Sequence, residues 1–89
     1  MKVDFRRSFI RDLKKIRDNA VLEKIRKAIE RVERVQDMNQ IEGLAKLSGA
    51  YGYYRLRIGD YRIGIVAHGD IVQFVRCLHR RDIYRYFPP

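Results

Sequence analysis

Residues 53–66 have the sequence Tyr53-Tyr54-Arg55-Leu56-Arg57-Ile58-Gly59-Asp60-Tyr61-Arg62-Ile63-Gly64-Ile65-Val66, which is the strongest indication of the fold. Two runs of alternating apolar and polar residues flank Gly59-Asp60, a pattern typical of a β-hairpin with a two-residue turn. A turn of that length sets the strand register. It predicts that Ile58 lies opposite Tyr61 and that Arg57 lies opposite Arg62.

The predicted hairpin has two unlike faces. One face is apolar and combines side chains of both strands: Tyr54, Leu56, Ile58, Tyr61, Ile63 and Ile65. The other face carries Arg55, Arg57 and Arg62, with Gly64 opposite Arg55. Like charges placed across an antiparallel pair destabilise it, so we expect an anion on this face. Arginine binds phosphate through two parallel hydrogen bonds, which favours a phosphate site. The alternative is a solvated face that merely uses arginine.

The composition limits the kinds of partner. The chain of 89 residues is expected to form one domain, residues 1–89, and its net charge of +9 indicates polyanionic partners such as nucleic acid, a ribosome or an acidic protein. No apolar run approaches the roughly 20 residues that cross a bilayer, so no membrane partner is expected. The single cysteine, Cys77, and the polar N-terminus favour a cytoplasmic protein. Two histidines and one cysteine offer no metal-ligand spacing, so we expect neither metal nor cofactor.

The first half of the chain has the pattern of one strand and two helices. Lys2 to Arg6 alternates and predicts a short strand. Ser8 is the expected N-cap of a helix that ends near Arg17, and Asp18 is expected to cap a second helix. The second helix should carry the ion pairs Glu23–Lys27 and Glu30–Arg34 on its exposed side. Residues 36–50 are predicted to be a connection anchored by Ile41, Leu44 and Leu47.

The last third of the chain predicts another hairpin strand and a chemically rich terminus. If Gly69-Asp70 is a two-residue turn, the third strand, Ile71–His79, places His79 on the arginine face and Val72, Phe74 and Leu78 on the apolar face. Arg76 then falls on the apolar face, which implies either a position at the sheet margin or a bulge. The terminus places an imidazole, two guanidinium groups and a phenol close together, while Ile83 and Phe87 are expected to cover apolar surface.

The predicted fold is therefore α+β. An N-terminal helical hairpin packs on a small, mainly antiparallel, twisted sheet of three to four strands.

Three segments of the sequence carry a resemblance to a known family. Lys46-Leu47-Ser48-Gly49, the hairpin residues 54–63 and the terminal His79-Arg80-Arg81-Asp82-Ile83-Tyr84-Arg85 resemble the RelE/ParE superfamily of type II toxin–antitoxin toxins. The helical hairpin before the sheet agrees, so the resemblance covers essentially the whole chain. The Phe87-Pro88 ending is similar to the archaeal and cyanobacterial RelE-like branch. This resemblance implies a ribosome-dependent mRNA endonuclease that cuts A-site codons, neutralised by a RelB-like antitoxin.

The resemblance also implies roles for particular residues. The expected reaction is metal-independent attack of a ribose 2′-hydroxyl on the adjacent phosphate, which leaves a 2′,3′-cyclic phosphate. The implied catalytic residues are Arg62, Arg81 (or Arg80), Tyr84 and His79. The implied RNA-binding residues are Arg55, Arg57, Arg80 and Lys46. The best-known relatives have lysines where Arg55 and Arg57 stand. Because arginine is a poor proton carrier, proton transfer is expected to fall to His79 and Tyr84.

Other functions remain open at this point. A ParE-like toxin has the same fold and inhibits DNA gyrase by protein contact. A non-catalytic nucleic-acid-binding relative would bind with steep salt dependence and cleave nothing.

Overall fold

The chain folds into one mixed β-sheet covered by helices on one face and by its own C-terminal segment on the other. The computed structural model describes residues 1–47 and 52–88. In chain order its elements are β1 (Lys2–Phe5), α1 (Arg7–Lys14), α2 (Asn19–Arg34), a 3₁₀ turn (Met38–Gln40), β2 (Leu44–Lys46), β3 (Tyr53–Ile58), β4 (Tyr61–His68), β5 (Ile71–His79) and α3 (Ile83–Tyr86). The strand order is β1-β5-β4-β3-β2.

The sheet confirms the α+β class but has five strands rather than three or four. The additional strand, β2, lies inside the segment that was predicted to be a connection, and its three residues are too few to show a period of two. Strand β1 pairs with β5 in parallel, and the other pairings are antiparallel. Ser48 and Gly49 of the quoted Lys46–Gly49 motif lie outside the described residues.

The first hairpin has the predicted register. Ile58 pairs with Tyr61, Arg57 pairs with Arg62, and Gly64 lies opposite Arg55. Gly59 adopts a φ of +56°, a left-handed conformation that glycine reaches without a steric penalty. The three arginines therefore share one sheet face, as predicted.

The second hairpin contains a β-bulge that changes which side chains face the helices. Its turn is the predicted one, since His68 pairs with Ile71. Ile65 pairs with Phe74 but Gly64 pairs with Arg76, so Val75 is an extra residue on β5. Of the two explanations offered for Arg76, the bulge is therefore the observed one, and it removes Arg76 from the apolar face.

Two expectations for β5 are wrong because of this bulge. Leu78 was expected on the apolar face but pairs with Arg62, whereas Cys77 pairs with Ile63 and lies in the core. His79 pairs with Tyr61, whose side chain is on the helix-covered face, so His79 does not lie on the arginine face. The physical reason is that side chains alternate along a strand, and one inserted residue reverses every later position.

The helices cover the apolar face and one strand edge. Ile25, Ala28 and Val32 of α2 are buried in the core. Asp18 caps α2 as predicted, since its carboxylate accepts from the Ala20 N–H at 2.9 Å.

Helix α1 begins differently from the prediction. It follows Arg6, which makes no side-chain cap, and the Ser8 hydroxyl donates to the Val75 carbonyl instead. Ser8 thereby satisfies a backbone group at the bulged edge of β5, and α1 covers that edge.

The C-terminal segment packs against the opposite face of the sheet. Ile83 and Phe87 are fully buried, which confirms their predicted role as cover. The Phe87 ring lies directly over Gly64, where an added Cβ would be 2.6 Å from Phe87 Cγ. The Tyr53 ring meets Phe87 edge-on, with 5.5 Å between ring centroids. Glycine at position 64 therefore makes room for this aromatic anchor on the arginine face.

Candidate functional site

Four guanidinium groups and one phenol come together at the turn end of the first hairpin. We call Arg55, Arg57, Arg62, Arg80 and Tyr84 the arginine cluster. The pKa of Arg62 is lowered from its ordinary value, chiefly by burial and then by the positive charges of Arg55 and Arg57, with Arg80 adding to the effect. Both partial burial and the neighbouring arginines therefore disfavour the positive charge of Arg62, and a bound anion would relieve this.

Hydrogen bonds to the backbone position Arg62 and Arg80. The Arg62 Nη1 group donates to the carbonyl oxygens of Gly59, at 2.6 Å, and Tyr61, at 3.0 Å. The backbone N–H of Arg80 donates to the Asp60 carbonyl at 2.8 Å. This last bond ties the end of β5 to the hairpin turn and brings Arg80 beside Arg62.

Tyr84 joins the cluster from α3. Its hydroxyl oxygen accepts from Arg55 Nε at 3.2 Å, and the residue is 59% exposed. The buried side chains of Ile83 and Phe87, on either side of Tyr84 in the sequence, anchor this short helix to the sheet. The phenol is thus held at the rim of the cluster with its own O–H open to a ligand.

The cluster carries uncompensated positive charge. Within residues 1–47 and 52–88, the carboxylate ion pairs are Arg26–Glu23, Arg26–Glu30 and Arg76–Asp12. None of them involves an arginine of the cluster. A group of cations without a carboxylate partner attracts anions, and arginine is suited to bidentate binding of phosphate.

Three of the residues expected at the site lie elsewhere. The His79 ring is on the helix side, 5.8 Å from the Tyr61 ring between centroids, and its Nδ1 accepts from the Arg81 backbone N–H at 3.2 Å and from Arg81 Nε at 3.4 Å. Arg81 is turned towards His79, so Arg80, and not Arg81, joins the cluster. Lys46 pairs with Tyr54, whose face is the helix-covered one. Lys46 therefore lies on the other side of the sheet from the arginines.

A buried carboxylate at the bulge was missed from the sequence. Asp12 is only 4% exposed and accepts from Arg76 Nε at 2.8 Å, from Arg76 Nη2 at 3.1 Å and from the Cys77 N–H at 2.9 Å. Its hydrogen bond is the main cause of the raised pKa of Arg76. The available signal was the spacing of Asp12 three residues after Phe9, on the apolar stripe of α1.

Cys77 has no chemical role in this arrangement. Burial raises the pKa of its thiol to about 12, which keeps it protonated and inert, as expected from its apolar strand. Among the described residues, no group of three His, Cys, Asp or Glu side chains could hold a metal ion. In the same part of the chain, no helix is long and apolar enough to cross a bilayer.

Comparisons with known proteins agree with the geometry. The model of the ParE toxin family of type II toxin–antitoxin systems, parDE, matches residues 3–84. Toxin RelE3 of Methanocaldococcus jannaschii is 40% identical over 89 residues, which cover 99% of this chain and 100% of that protein.

Solved structures with this fold are also found. The RelB–RelE antitoxin–toxin complex from Methanococcus jannaschii matches with a TM-score of 0.80 and 38% identity, covering 94% of this chain and 98% of that one. The archaeal RelE–RelB complex from Pyrococcus horikoshii, at 18% identity, shares the fold with a TM-score of 0.73 over 89% of this chain and 93% of that one. The chain therefore belongs to the RelE/ParE superfamily of type II toxin–antitoxin toxins.

Proposed function

We propose that this toxin is a ribosome-dependent mRNA endonuclease that cuts A-site codons and thereby stops translation. The observation that carries the proposal is the arginine cluster, in which Arg55, Arg57, Arg62 and Arg80 lack carboxylate partners within the described residues and surround one phenol. The full-length similarity to Toxin RelE3 supports the RelE-like activity over gyrase inhibition.

The reaction fits what this cluster can do chemically. The ribose 2′-oxygen attacks phosphorus, the bond from phosphorus to the 5′-oxygen breaks, and the products are a 2′,3′-cyclic phosphate and a 5′-hydroxyl. The 2′-hydroxyl gives up its proton to a base, and the leaving 5′-oxygen gains one. Arg62 neutralises the charge that develops on the phosphoryl oxygens, while Arg55 and Arg57 hold the phosphate. A positioned charge of this kind acts without a metal.

Tyr84 is our candidate for proton transfer. Arginine keeps its proton under physiological conditions, so the phenol is the member of the cluster that can exchange one. Arg55 donates a hydrogen bond to the phenolic oxygen of Tyr84. The phenolic hydrogen is not used in that bond, so it can be donated to the RNA. His79 was expected to share this task, but its ring is on the helix side of the sheet.

The partner we propose is a RelB-like antitoxin. The two archaeal relatives described above are antitoxin–toxin complexes, and a net charge of +9 with an arginine cluster that lacks close carboxylates in the described residues favours a partner with acidic residues. Such a partner would mask the arginines by direct charge neutralisation. Its affinity for this toxin should therefore fall as salt concentration rises.

Primer-extension mapping on mRNA in a purified translation system tests the activity. The wild type should produce cuts within A-site codons. Arg62→Ala should reduce cleavage by about 10²–10³-fold, the usual effect of removing one positioned charge stabiliser. Arg34→Ala removes the same charge from the exposed end of α2 and is the matched control, expected to cleave normally.

The outcomes separate the possible roles. Near-wild-type cleavage by Arg62→Ala would refute the phosphate-binding role of the cluster. Intact mRNA together with inhibited DNA supercoiling would identify gyrase as the target. Tyr84→Phe should lose most of its cleavage, whereas His79→Gln should keep it from pH 6 to 8. The reverse pattern would return proton transfer to the histidine.

A further inference from the structure

A second positively charged surface lies next to the arginine cluster, in a groove between α2 and the end of the first hairpin. We call it the basic groove. Its volume is about 230 Å³, and its lining consists of Lys24, Lys27, Arg31, Arg57, Ile58 and Gly59. The α2 residues are spaced by three and four positions, so they project from the same side of the helix.

The close ion pairs of α2 are made by Arg26 and not by the bases that line the groove. Arg26 binds both Glu23, through Nε at 3.1 Å, and Glu30, through Nη1 at 2.8 Å. The sequence had predicted the pairs Glu23–Lys27 and Glu30–Arg34, but the close partner of both acids is Arg26, and Lys27 acts on Glu23 only through its charge. Because both acids pair with Arg26, the bases that line the groove have no carboxylate within ion-pair distance in the described part of the chain.

Arg57 connects the two surfaces. It lines the basic groove, and its charge also lowers the pKa of Arg62 in the arginine cluster. Arg57 therefore joins the basic groove to the arginine cluster, which also contains Arg62 and Arg80. A ligand that follows this path must carry anionic charge over a length greater than that of one phosphate.

The dimensions of the α2 surface fit a nucleic-acid strand. Lys24 and Arg31 are seven residues apart, which is about 10 Å along the helix axis at 1.5 Å per residue. In a duplex each strand carries one phosphate per about 3.4 Å of helix axis, and a single strand can be more extended, so basic side chains along this length can contact about two or three phosphates.

We propose that the basic groove binds the sugar–phosphate backbone of RNA at a position away from the cleaved bond. The inference rests on the proposed function in taking RNA as the ligand, and it assigns the groove to affinity and the arginine cluster to chemistry. Contacts of this type are independent of base sequence and weaken strongly with salt.

Fluorescence anisotropy with a labelled 20-nucleotide polyuridine RNA measures this directly as a function of NaCl concentration. The test variant is Lys24→Gln/Lys27→Gln/Arg31→Gln, in which glutamine retains a long side chain and helix propensity. The matched control is Arg7→Gln/Arg11→Gln/Lys14→Gln, which removes the same charge from a pocket beside α1. Loss of three phosphate contacts should reduce the slope of log K against log[NaCl] by about 2, whereas the control should keep the wild-type slope.

The variants should keep the wild-type unfolding temperature, because the substituted side chains line an open surface. If the triple variant has a lower unfolding temperature, RNA binding is measured instead with the single variant Lys27→Glu. That variant should still weaken RNA binding more than Arg11→Glu does. Equal slopes in the test and control variants, or no RNA binding by the wild type, would overturn the proposal. Equal weakening of binding to polyuridine and to a polyglutamate peptide would also overturn it, since the groove would then recognise charge alone.

Cleavage assays separate this inference from the proposed function. On translating ribosomes, the α2 variant should need more protein for half-maximal cleavage while its maximal single-turnover rate is unchanged. If the wild type cuts no mRNA but the α2 variant reduces the salt slope, the groove assignment stands and the nuclease proposal fails. If the wild type cuts mRNA and the salt slopes are equal, the nuclease proposal stands and the groove assignment fails.

Discussion

Replacing Gly64 with alanine should destabilise the protein through one contact, the one with Phe87. An added Cβ would be 2.6 Å from Cγ, 2.7 Å from Cδ2 and 2.8 Å from Cδ1 of the Phe87 ring. These are the inner atoms of the ring, and the side chain is completely buried. The ring therefore has to move as a whole, or leave its site.

The expected magnitude lies between two limits. Overpacking that is relieved by small shifts costs about 1–3 kcal/mol, and expulsion of a buried Phe ring costs about 3–5 kcal/mol. Alanine gains back about 0.5–1 kcal/mol over glycine in a strand. We expect a net loss of about 2 kcal/mol, which lowers the unfolding temperature of a domain of this size by roughly 8–16 °C.

Thermal unfolding followed by circular dichroism is a suitable assay, because the chain contains no tryptophan. The second half of the test is the same substitution in a Phe87→Ala background, where no ring opposes the new Cβ. There Gly64→Ala should be neutral or slightly stabilising. An unchanged unfolding temperature for Gly64→Ala, or an equal loss in the Phe87→Ala background, would refute this account of the glycine. Cleavage should fall together with stability, since Phe87 anchors the helix that carries Tyr84.

Three further predictions concern buried and charged groups. Asp12→Ala removes the acceptor of the Arg76 guanidinium and the Cys77 N–H, and it should lower the free energy of unfolding in urea by about 3 kcal/mol. Asp12→Asn retains one acceptor oxygen and should lower the free energy of unfolding less. Equal losses for the two variants would contradict the role of that oxygen. Burial and neighbouring cations lower the pKa at position 62, so a lysine there should give up its proton more readily than an exposed one. Cleavage by Arg62→Lys should therefore decline, relative to the wild type, at a pH below the ordinary lysine pKa of about 10.4, and parallel pH profiles would contradict this. Burial raises the pKa of Cys77 from 9.0 to about 12, so its stabilising contribution is complete below pH 9 and is lost as pH rises towards 12. The stability difference between the wild type and Cys77→Ala should narrow over that range, and a constant difference would show that the thiol does not titrate.

Local physics accounts for the parts of the fold that were predicted correctly. The Gly59-Asp60 turn and the alternation around it determine which residues of β3 and β4 face each other, and these need no distant contact. The Asp18 cap of α2 is local for the same reason, because its carboxylate reaches the first turn of its own helix. Strand β2 was not predicted, because its three residues are too few to show a strand pattern. They become a strand only by pairing with the open edge of β3.

Competition between equivalent partners explains the ion pairs on α2. Glu23 has Lys27 four residues later but Arg26 three residues later, and both positions are neighbours on a helix surface. Arg26 reaches Glu23 and Glu30 together through different nitrogens of its planar guanidinium group, which offers five N–H donors in a fixed arrangement. The choice depends on side-chain geometry, and among the described residues it leaves the bases of the groove without a close carboxylate partner.

That Arg55, Arg57 and Arg62 share one face of a hairpin follows from local properties, namely turn length and a two-residue period. Long-range contacts bring Arg80 and Tyr84 to the cluster and keep His79 away from it. The bulge at Val75 reverses every later position of β5, and Asp12, more than sixty residues away, binds the Cys77 N–H beside it. The Phe87 ring then holds α3 over Gly64. Both contacts join residues far apart in the chain, so no local pattern could have revealed them.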